Sequence, residues 1–350
     1  MAIKSVRDIK DLAEKNVLAR VDFDVPINKS GQVEDITRIE KCLPTIKYLL
    51  DKKAKVTLLT KIGRPGEGKK TSTKILLPIL EKLLGTKVEW CQNPLDPNLP
   101  SLLKNSSCKV FLMENIRFHK EEEAPDKNFA KELSKPFDIY VNEAFAMCHR
   151  KDASISILPT LLPSYAGFRL IEEYKTLTNL LKNPQRPFVA IIGGSKVETK
   201  LPVIENLAKI ANKVLVGGKI SLELSLALPS VLNAVDNLDK KDIGPKSIEL
   251  FKMEISKAKT IVWSGPMGIF ETPPYNHGTN EIAQAVAKSG AYKVIGGGDT
   301  ISAISKAGVL DKMDFVSTGG GAMLTLLSGK PMPGILALEK SGRNIFPFYL

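Results

Sequence analysis

The stretch Phe188–Lys200 (FVAIIGGSKVETK) sets five apolar residues beside two glycines, a serine and two lysines. Phe188–Ile192 has the length of a buried strand and is too short for a helix. Gly193 and Gly194 would end it, and Ser195 is placed to cap an amphipathic helix over Lys196–Ile210. A strand, a glycine turn and a helix start present free backbone N–H groups and the positive end of the helix dipole to an anion. On such a helix Lys196 and Lys200, four residues apart, would add two ammonium groups on one face. An ordinary strand–helix turn with solvated lysines has the same local sequence. Recurrence of the pattern favours the anion site.

The second half repeats it in KVLVGGK (Lys213–Lys219), TIVWSGPMGIFE (Thr260–Glu271), KVIGGGDT (Lys293–Thr300) and FVSTGGGA (Phe315–Ala322). Glycine permits close backbone approach to a ligand. Five such tips on one sheet predict a pocket for a large phosphorylated ligand, and a nucleotide fits best. No GxxxxGK[ST] occurs, which excludes a P-loop, and no GxGxxG with a following ribose-binding acid supports a dinucleotide. The first half has arginines in the same position. Candidate strands Val17–Val25, Lys55–Thr60, Val110–Met113 and Ile139–Val141 run into loops holding Arg20, Arg64, Arg117 and Arg150, and Arg38 opens a helix after DIT. Arginines there would converge on one anion as permanent, bidentate cations. Any one alone reads as a surface ion pair; the shared position argues for a site. Within Arg20–Asp24, residues 20, 22 and 24 would face one way on a strand, as a salt-bridge face or as a substrate-hydroxyl site.

Positioning these tips requires strands that alternate with helices, such as the patterns Arg38–Lys52 and Lys74–Leu84, and so an α/β protein with parallel sheets. Ligands gather outside the carboxyl ends of such strands. Between Pro159 and Pro187, two proline-rich breakers bracket an amphipathic helix, Arg169–Leu181, which reads as a connector able to absorb a hinge rotation. The expected domains are 1–160 and 187–335, joined by 161–186, with 336–350 as a tail that packs back on the first domain.

A length of 350 residues suits two domains. The net charge of +12 implies attraction to anions. Only 6% aromatics and no basic–aromatic interleaving argue against specific nucleic-acid binding. Cys42, Cys91, Cys108 and Cys148 form no CxxC pair, so neither zinc nor a disulfide framework is expected. The start MAIKSVRDIK lacks the apolar core of a signal peptide, and no apolar run is long enough to span a bilayer. A cytoplasmic, monomeric protein is the expectation.

An arginine-rich half and a glycine-rich half suggest a small multi-anionic substrate facing a nucleotide, the layout of phosphoryl transfer. Each pair of like charges at about 4 Å repels by roughly 4 kcal/mol at an effective dielectric near 20. Lys196, Lys200, Arg38 and a Mg²⁺ on Asp299 would supply the opposing charge. Asp299 reads alternatively as a helix N-cap. His119, His149 and His277 are dispersed and suggest no base, which suits a nucleophile that is already ionised.

RVDFDVP, ITRIEKCLPTIKYL, KIGRP, ENIRFHKEEE, VNEAFAMCHR, RPFVAIIGGSKVETKL, VWSGPMGIFE, GGGDT and STGGGA, in that order, resemble the successive signatures of the phosphoglycerate kinase family. The resemblance implies two parallel-sheet, three-layer αβα domains (Rossmann-like) joined by a helical hinge. It implies reversible Mg-dependent phosphoryl transfer between ATP and the carboxylate of 3-phosphoglycerate. By position, Asp22, Phe23, Asp24, Arg38, Lys61, Ile62, Gly63, Arg64, Arg117 and Arg150 correspond to phosphoglycerate contacts. Gly193, Ser195, Lys196, Lys200, Gly217, Gly218, Gly268, Glu271, Gly297, Gly298, Asp299 and Thr300 correspond to nucleotide contacts, with Asp299 at the metal. Arg38, Lys196, Gly298 and Gly321 correspond to the groups around the transferred phosphoryl. Four positions depart from the family: Asp24 replaces an asparagine, Lys61 a histidine, Ser264 an asparagine and Lys219 a glycine. The chain is also shorter after SLELSLALPS. A binding protein that keeps the fold without catalysis is the alternative reading.

Overall fold

The computed structural model describes residues 3–63, 71–224 and 228–341. They form two compact units, one from residues up to Tyr174 together with those from Met332 onward, the other spanning Lys175–Pro331. The helix Phe168–Lys182 is shared by both. Residues 161–174 and 332–335, drawn above into the connector and the second domain, therefore lie in unit 1.

In unit 1 the strands are β1 (Asn16–Arg20), β2 (Lys55–Leu59), β3 (Val88–Cys91), β4 (Val110–Met113), β5 (Ile139–Asn142) and β6 (Ser164–Ala166). They pair in parallel in the order β3-β4-β2-β1-β5-β6. Strands β2, β4 and β5 are buried along their length, as expected where helices cover both faces of a parallel sheet. The helix Thr37–Asp51 packs Ile39, Cys42, Ile46 and Leu49 into the core beside Val17, Val56 and Val110. The predicted helix Lys74–Leu84 divides: a 3₁₀ turn, Thr73–Leu76, capped by Ser72, precedes an α-helix starting at Leu77. Pro78 suits that first turn because its missing N–H needs no partner there.

Unit 2 contains β7 (Phe188–Ile192), β8 (Lys213–Val216), β9 (Val231–Asn233), β12 (Thr260–Ser264), β13 (Tyr292–Gly296) and β14 (Phe315–Ser317), all parallel in the order β14-β13-β12-β7-β8-β9. A small hairpin, β10 (Asn237–Leu238) with β11 (Asp242–Ile243), lies between β9 and β12 in sequence. Strand β9 was not anticipated. It pairs with β8 and completes the sheet in the shortened stretch. Its core gathers Trp263, Phe251, Ile191 and Leu215. In each sheet the strand order turns outward in both directions from one border, β1/β5 and β7/β12, and the loops above such a border form the ligand crevice.

Candidate active site

The predicted strand Val17–Val25 stops at Arg20, so the alternation across residues 20, 22 and 24 does not occur. Arg20 is wholly buried: its Nε donates to Ser154 Oγ at 3.0 Å and its Nη1 to the Val21 carbonyl at 2.8 Å. It is a core cation and leaves the row of exposed arginines. Asp22 accepts from Arg38 Nη1 at 3.1 and 3.0 Å, one bond on each carboxylate oxygen. Asp24 Oδ2 pairs with Lys61 Nζ, and Asp24 Oδ1 accepts from the Gly63 N–H at 2.9 Å. Phe23 and Ile62 are core side chains, so only their backbones could reach a ligand.

Lys61 is held below the usual lysine pKa by burial, countered by Asp24, while Arg117 repels its charge. Arg117 follows β4 in the 3₁₀ turn Ile116–Phe118. Arg117 Nη2 donates to Asp152 Oδ2 at 3.4 Å, and Arg150 Nε donates to Asp152 Oδ1 at 3.0 Å. Asp24, Arg38, Ile62 and Gly63 line a cavity of about 850 Å³. Arg64 lies outside the described residues.

In unit 2 the helix after β7 runs Val197–Leu207, starting one residue later and ending three earlier than the expected Lys196–Ile210. Lys196 precedes it in extended backbone (φ −99°, ψ 92°), and Ser195 makes no capping bond. The two lysines therefore do not share a helical face. Lys196 is exposed, whereas Lys200 is buried and donates to Ser264 Oγ at 2.8 Å. Burial lowers the Lys200 pKa to about 8, opposed by the Asp299 charge.

The glycine tips have a second cause besides ligand approach. A Cβ on Gly193 would lie 2.2 Å from the Pro266 carbonyl oxygen, and one on Gly265 (φ +96°) would lie 2.1 Å from the Gly193 oxygen. The turns after β7 and β12 are packed backbone against backbone. Gly217 is closed in by the Met267 sulfur and Gly268 by the Asp242 carboxylate, at 2.6 and 2.2 Å from a notional Cβ. Thr300 is buried with its Oγ1 accepting from the Gly265 N–H at 2.7 Å, which ties the turn after β13 to the turn after β12. Gly298 opens the helix Gly298–Lys306 and has nothing near its notional Cβ. Gly297 is the N-cap residue there, so Asp299 is not the cap; it sits exposed in the first turn. Gly321 is exposed in the first turn of the helix Gly320–Leu327. Ser195, Gly218, Gly268, Glu271 and Asp299 line a cavity of about 290 Å³. Gly193 and Gly217 lie buried beneath these turns.

Three features escaped the sequence reading. Lys240 and Lys241, in the β10–β11 turn, also line this cavity, with Lys241 Nζ 4.6 Å from the Tyr275 ring centre. Asp152 joins two arginines; the only sequence signal is its place two residues after Arg150. Glu143 is wholly enclosed at the end of β5, accepting from Thr45 Oγ1 at 2.7 Å and the Arg169 N–H at 3.1 Å. Burial raises its pKa to about 8.

A model of the family described as "Phosphoglycerate kinase" matches residues 6–229 and 228–330. The chain belongs to the phosphoglycerate kinase family. The phosphoglycerate kinase of Hydrogenobaculum sp. is 40% identical over 390 aligned residues, with 96% of this chain and 98% of the relative covered. That of Rubrobacter xylanophilus is 39% identical over 388, covering 96% and 98%. Among solved structures, the phosphoglycerate kinase of Coxiella burnetii superposes with a TM-score of 0.84 at 32% identity, covering 97% of this chain and 99% of the other. That of Pyrococcus horikoshii has the same TM-score at 29% identity. The family consists of phosphotransferases, and two parallel six-stranded αβα units are its architecture.

Proposed function

We propose that unit 1 binds 3-phosphoglycerate through the cations set around Asp22, Asp24 and Asp152, and that unit 2 binds ATP at its glycine tips. As a phosphoglycerate kinase, the protein transfers a phosphoryl group reversibly between ATP and the substrate carboxylate, a step of glycolysis. The single observation that carries the site assignment is the pairing of Arg38 with Asp22 and of Lys61 with Asp24 around a cavity that Asp24 and Arg38 line. A carboxylate nucleophile needs no base, so the work of these residues is orientation and charge neutralisation. Arg38, paired with Asp22 on the wall of the unit 1 cavity, is assigned to the transferring phosphoryl group. Lys196 stands exposed before its helix and neutralises charge on the nucleotide side, while Lys200 is fixed by Ser264.

Mg²⁺ fits Asp299. This ion is commonly bound through one or two carboxylates plus substrate phosphates, and Asp299 offers an exposed carboxylate on the wall of the unit 2 cavity. Among the described residues no cluster of three acidic, His or Cys ligands competes for it. Bound there, the ion would neutralise phosphate charge. Glu271, exposed on the same cavity, is assigned to the ribose hydroxyls. No described helix is long and apolar enough to cross a membrane, and a cytoplasmic monomer is the proposed state.

The departures at Asp24 and Lys61, which motivated a binding-only reading, lie against each other as an ion pair and cancel in charge. A coupled assay with purified protein, Mg-ATP and 3-phosphoglycerate tests catalysis. Turnover that depends on both substrates is expected; turnover no higher than the enzyme-free control would overturn the proposal.

A further inference from the structure

Arg117 and Arg150 come from separate turns, yet one carboxylate meets both. Asp152 Oδ2 accepts from Arg117 Nη2 at 3.4 Å and Oδ1 from Arg150 Nε at 3.0 Å, with the Asp152 side chain 2% exposed. Asp152 occupies the N-cap position of the short helix Ala153–Ser156, where an aspartate normally accepts helix N–H groups through its side chain. Here the side chain makes no such bond. Only its backbone carbonyl serves the helix, accepting from the N–H groups of Ile155 and Ser156 at 3.0 and 2.9 Å. The carboxylate is left to the arginines.

The segment carrying Asp152 is rigidly seated. Ser154 Oγ accepts from Arg20 Nε at 3.0 Å and donates to Glu122 Oε1 at 2.5 Å, its N–H donates to Glu122 Oε2 at 2.9 Å, and its carbonyl accepts from Tyr140 OH at 2.7 Å. Arg20, Glu122 and Tyr140 are all wholly buried, so this network fixes residues 152–154 against the sheet. Arg117 depends on it. Its side chain is 8% exposed, and its Nε and Nη1 have no hydrogen-bond acceptor among the described residues, although Glu123 Oε1 lies 3.2 Å from Nη1. Without Asp152 two guanidinium groups would repel, and one would be buried with its hydrogen-bonded partner gone.

We propose that Asp152 is a positioning residue for the substrate anion: it holds the Arg117 and Arg150 guanidinium groups at one spacing and orientation. This rests on the reading of those arginines as phosphoglycerate contacts. The test measures KM for 3-phosphoglycerate, KM for ATP and kcat in Asp152→Asn, Asp152→Glu, Arg117→Gln, Arg150→Gln and the double variant Asp152→Asn with Arg150→Gln.

Asp152→Asn is expected to raise the phosphoglycerate KM by about tenfold or more, the scale of truncating one member of a buried charge pair. The KM for ATP should stay within about twofold, since sites without shared partners act independently. Asp152→Glu should lie between, because it restores the charge one methylene out of place. In the double variant the Asp152→Asn effect should shrink, one of the arginines it orients being already gone. An unchanged phosphoglycerate KM in Asp152→Asn, equal rises in both KM values, or full additivity in the double variant would overturn the proposal. If Asp152→Asn does not fold, Asp152→Glu decides alone: a selective rise in phosphoglycerate KM supports it, and none overturns it. A wild-type phosphoglycerate KM in Arg117→Gln would instead overturn the reading of the site itself.

Discussion

The loops above β1/β5 and those above β7/β12 occupy equivalent places in two similar sheets and solve opposite problems. In unit 1 the tips bear long cations, each joined to a carboxylate: Arg38 to Asp22, Lys61 to Asp24, Arg117 and Arg150 to Asp152. In unit 2 the tips bear almost no side chains and lean on each other through backbone, as Gly193 does on Gly265 and Gly218 on Gly194. The first edge can lose a side chain and keep its shape. The second, wherever one turn rests on another, can gain one only by breaking its shape. Substitutions in unit 1 should therefore register mainly in affinity and rate, those at the unit 2 tips mainly in stability.

The sharpest way to break this contrast is Gly265→Ala. Its Cβ would meet backbone, which cannot swing aside, at a left-handed φ of +96°. A loss of about 3 kcal/mol or more is expected, from strain plus overpacking, read as a lower denaturant midpoint. Gly298→Ala, facing open space, should stay within about 0.5 kcal/mol of wild type. Equal stabilities for the two would dissolve the comparison.

Arg38→Ala and Lys196→Ala should each lower kcat by at least ~100-fold, the scale of one preorganised charge stabiliser, with unfolding midpoints near wild type. A near-normal rate in either removes that residue from its assigned role.

Asp24→Asn should impair phosphoglycerate binding more than the double change Asp24→Asn with Lys61→His, because the single change strands a buried ammonium. The coupling in such a cycle is expected at about 1 kcal/mol or more. Purely additive effects would show the two positions to be independent.

The smallest effect concerns pH. Glu143 has a pKa of about 8 in the folded protein against 4.5 when free. Between those values the unfolded chain has lost a proton that the folded protein keeps, so stability falls as pH rises through this window. Glu143→Gln should flatten that decline in denaturant titrations run from pH 5 to pH 8.5. An unchanged slope would mean that the carboxyl is already ionised when folded.

The sheets were legible because parallel strands covered on both faces are written as unbroken apolar runs, such as FVAII and VFLM. β9 was not: VLN is too short and too exposed to stand out, and pairing with β8 alone makes it a strand. The positions of the glycine tips were legible from composition, but their cause was only half so. A sequence shows that Gly193 needs space; it does not show that the neighbouring turn, as well as any ligand, takes that space. Local spacing failed at Lys196, because a helix drawn one residue too early turned an extended residue into a helical one. It failed at Arg20 for a related reason, since a strand that ends early sends its last side chain inward. The carboxylates that hold the cations were hardest to see. Asp22 acts on Arg38, and Asp152 acts on Arg117 as well as on the nearby Arg150; only folding brings the distant pairs together.

Residues 333–341 form a helix seated on unit 1: Gly334 lies against Cys148, its N–H donating to the Cys148 carbonyl at 2.9 Å, and Ser341 Oγ accepts from the Ser164 N–H at 3.0 Å. Unit 1 is thus built from two stretches of polypeptide, with all of unit 2 spliced between them. During synthesis on the ribosome, which delivers the amino end first, the later-made unit finishes before the earlier-made one. Until residues 332–341 emerge, the ledge beside Cys148, two residues from Arg150, stays uncovered.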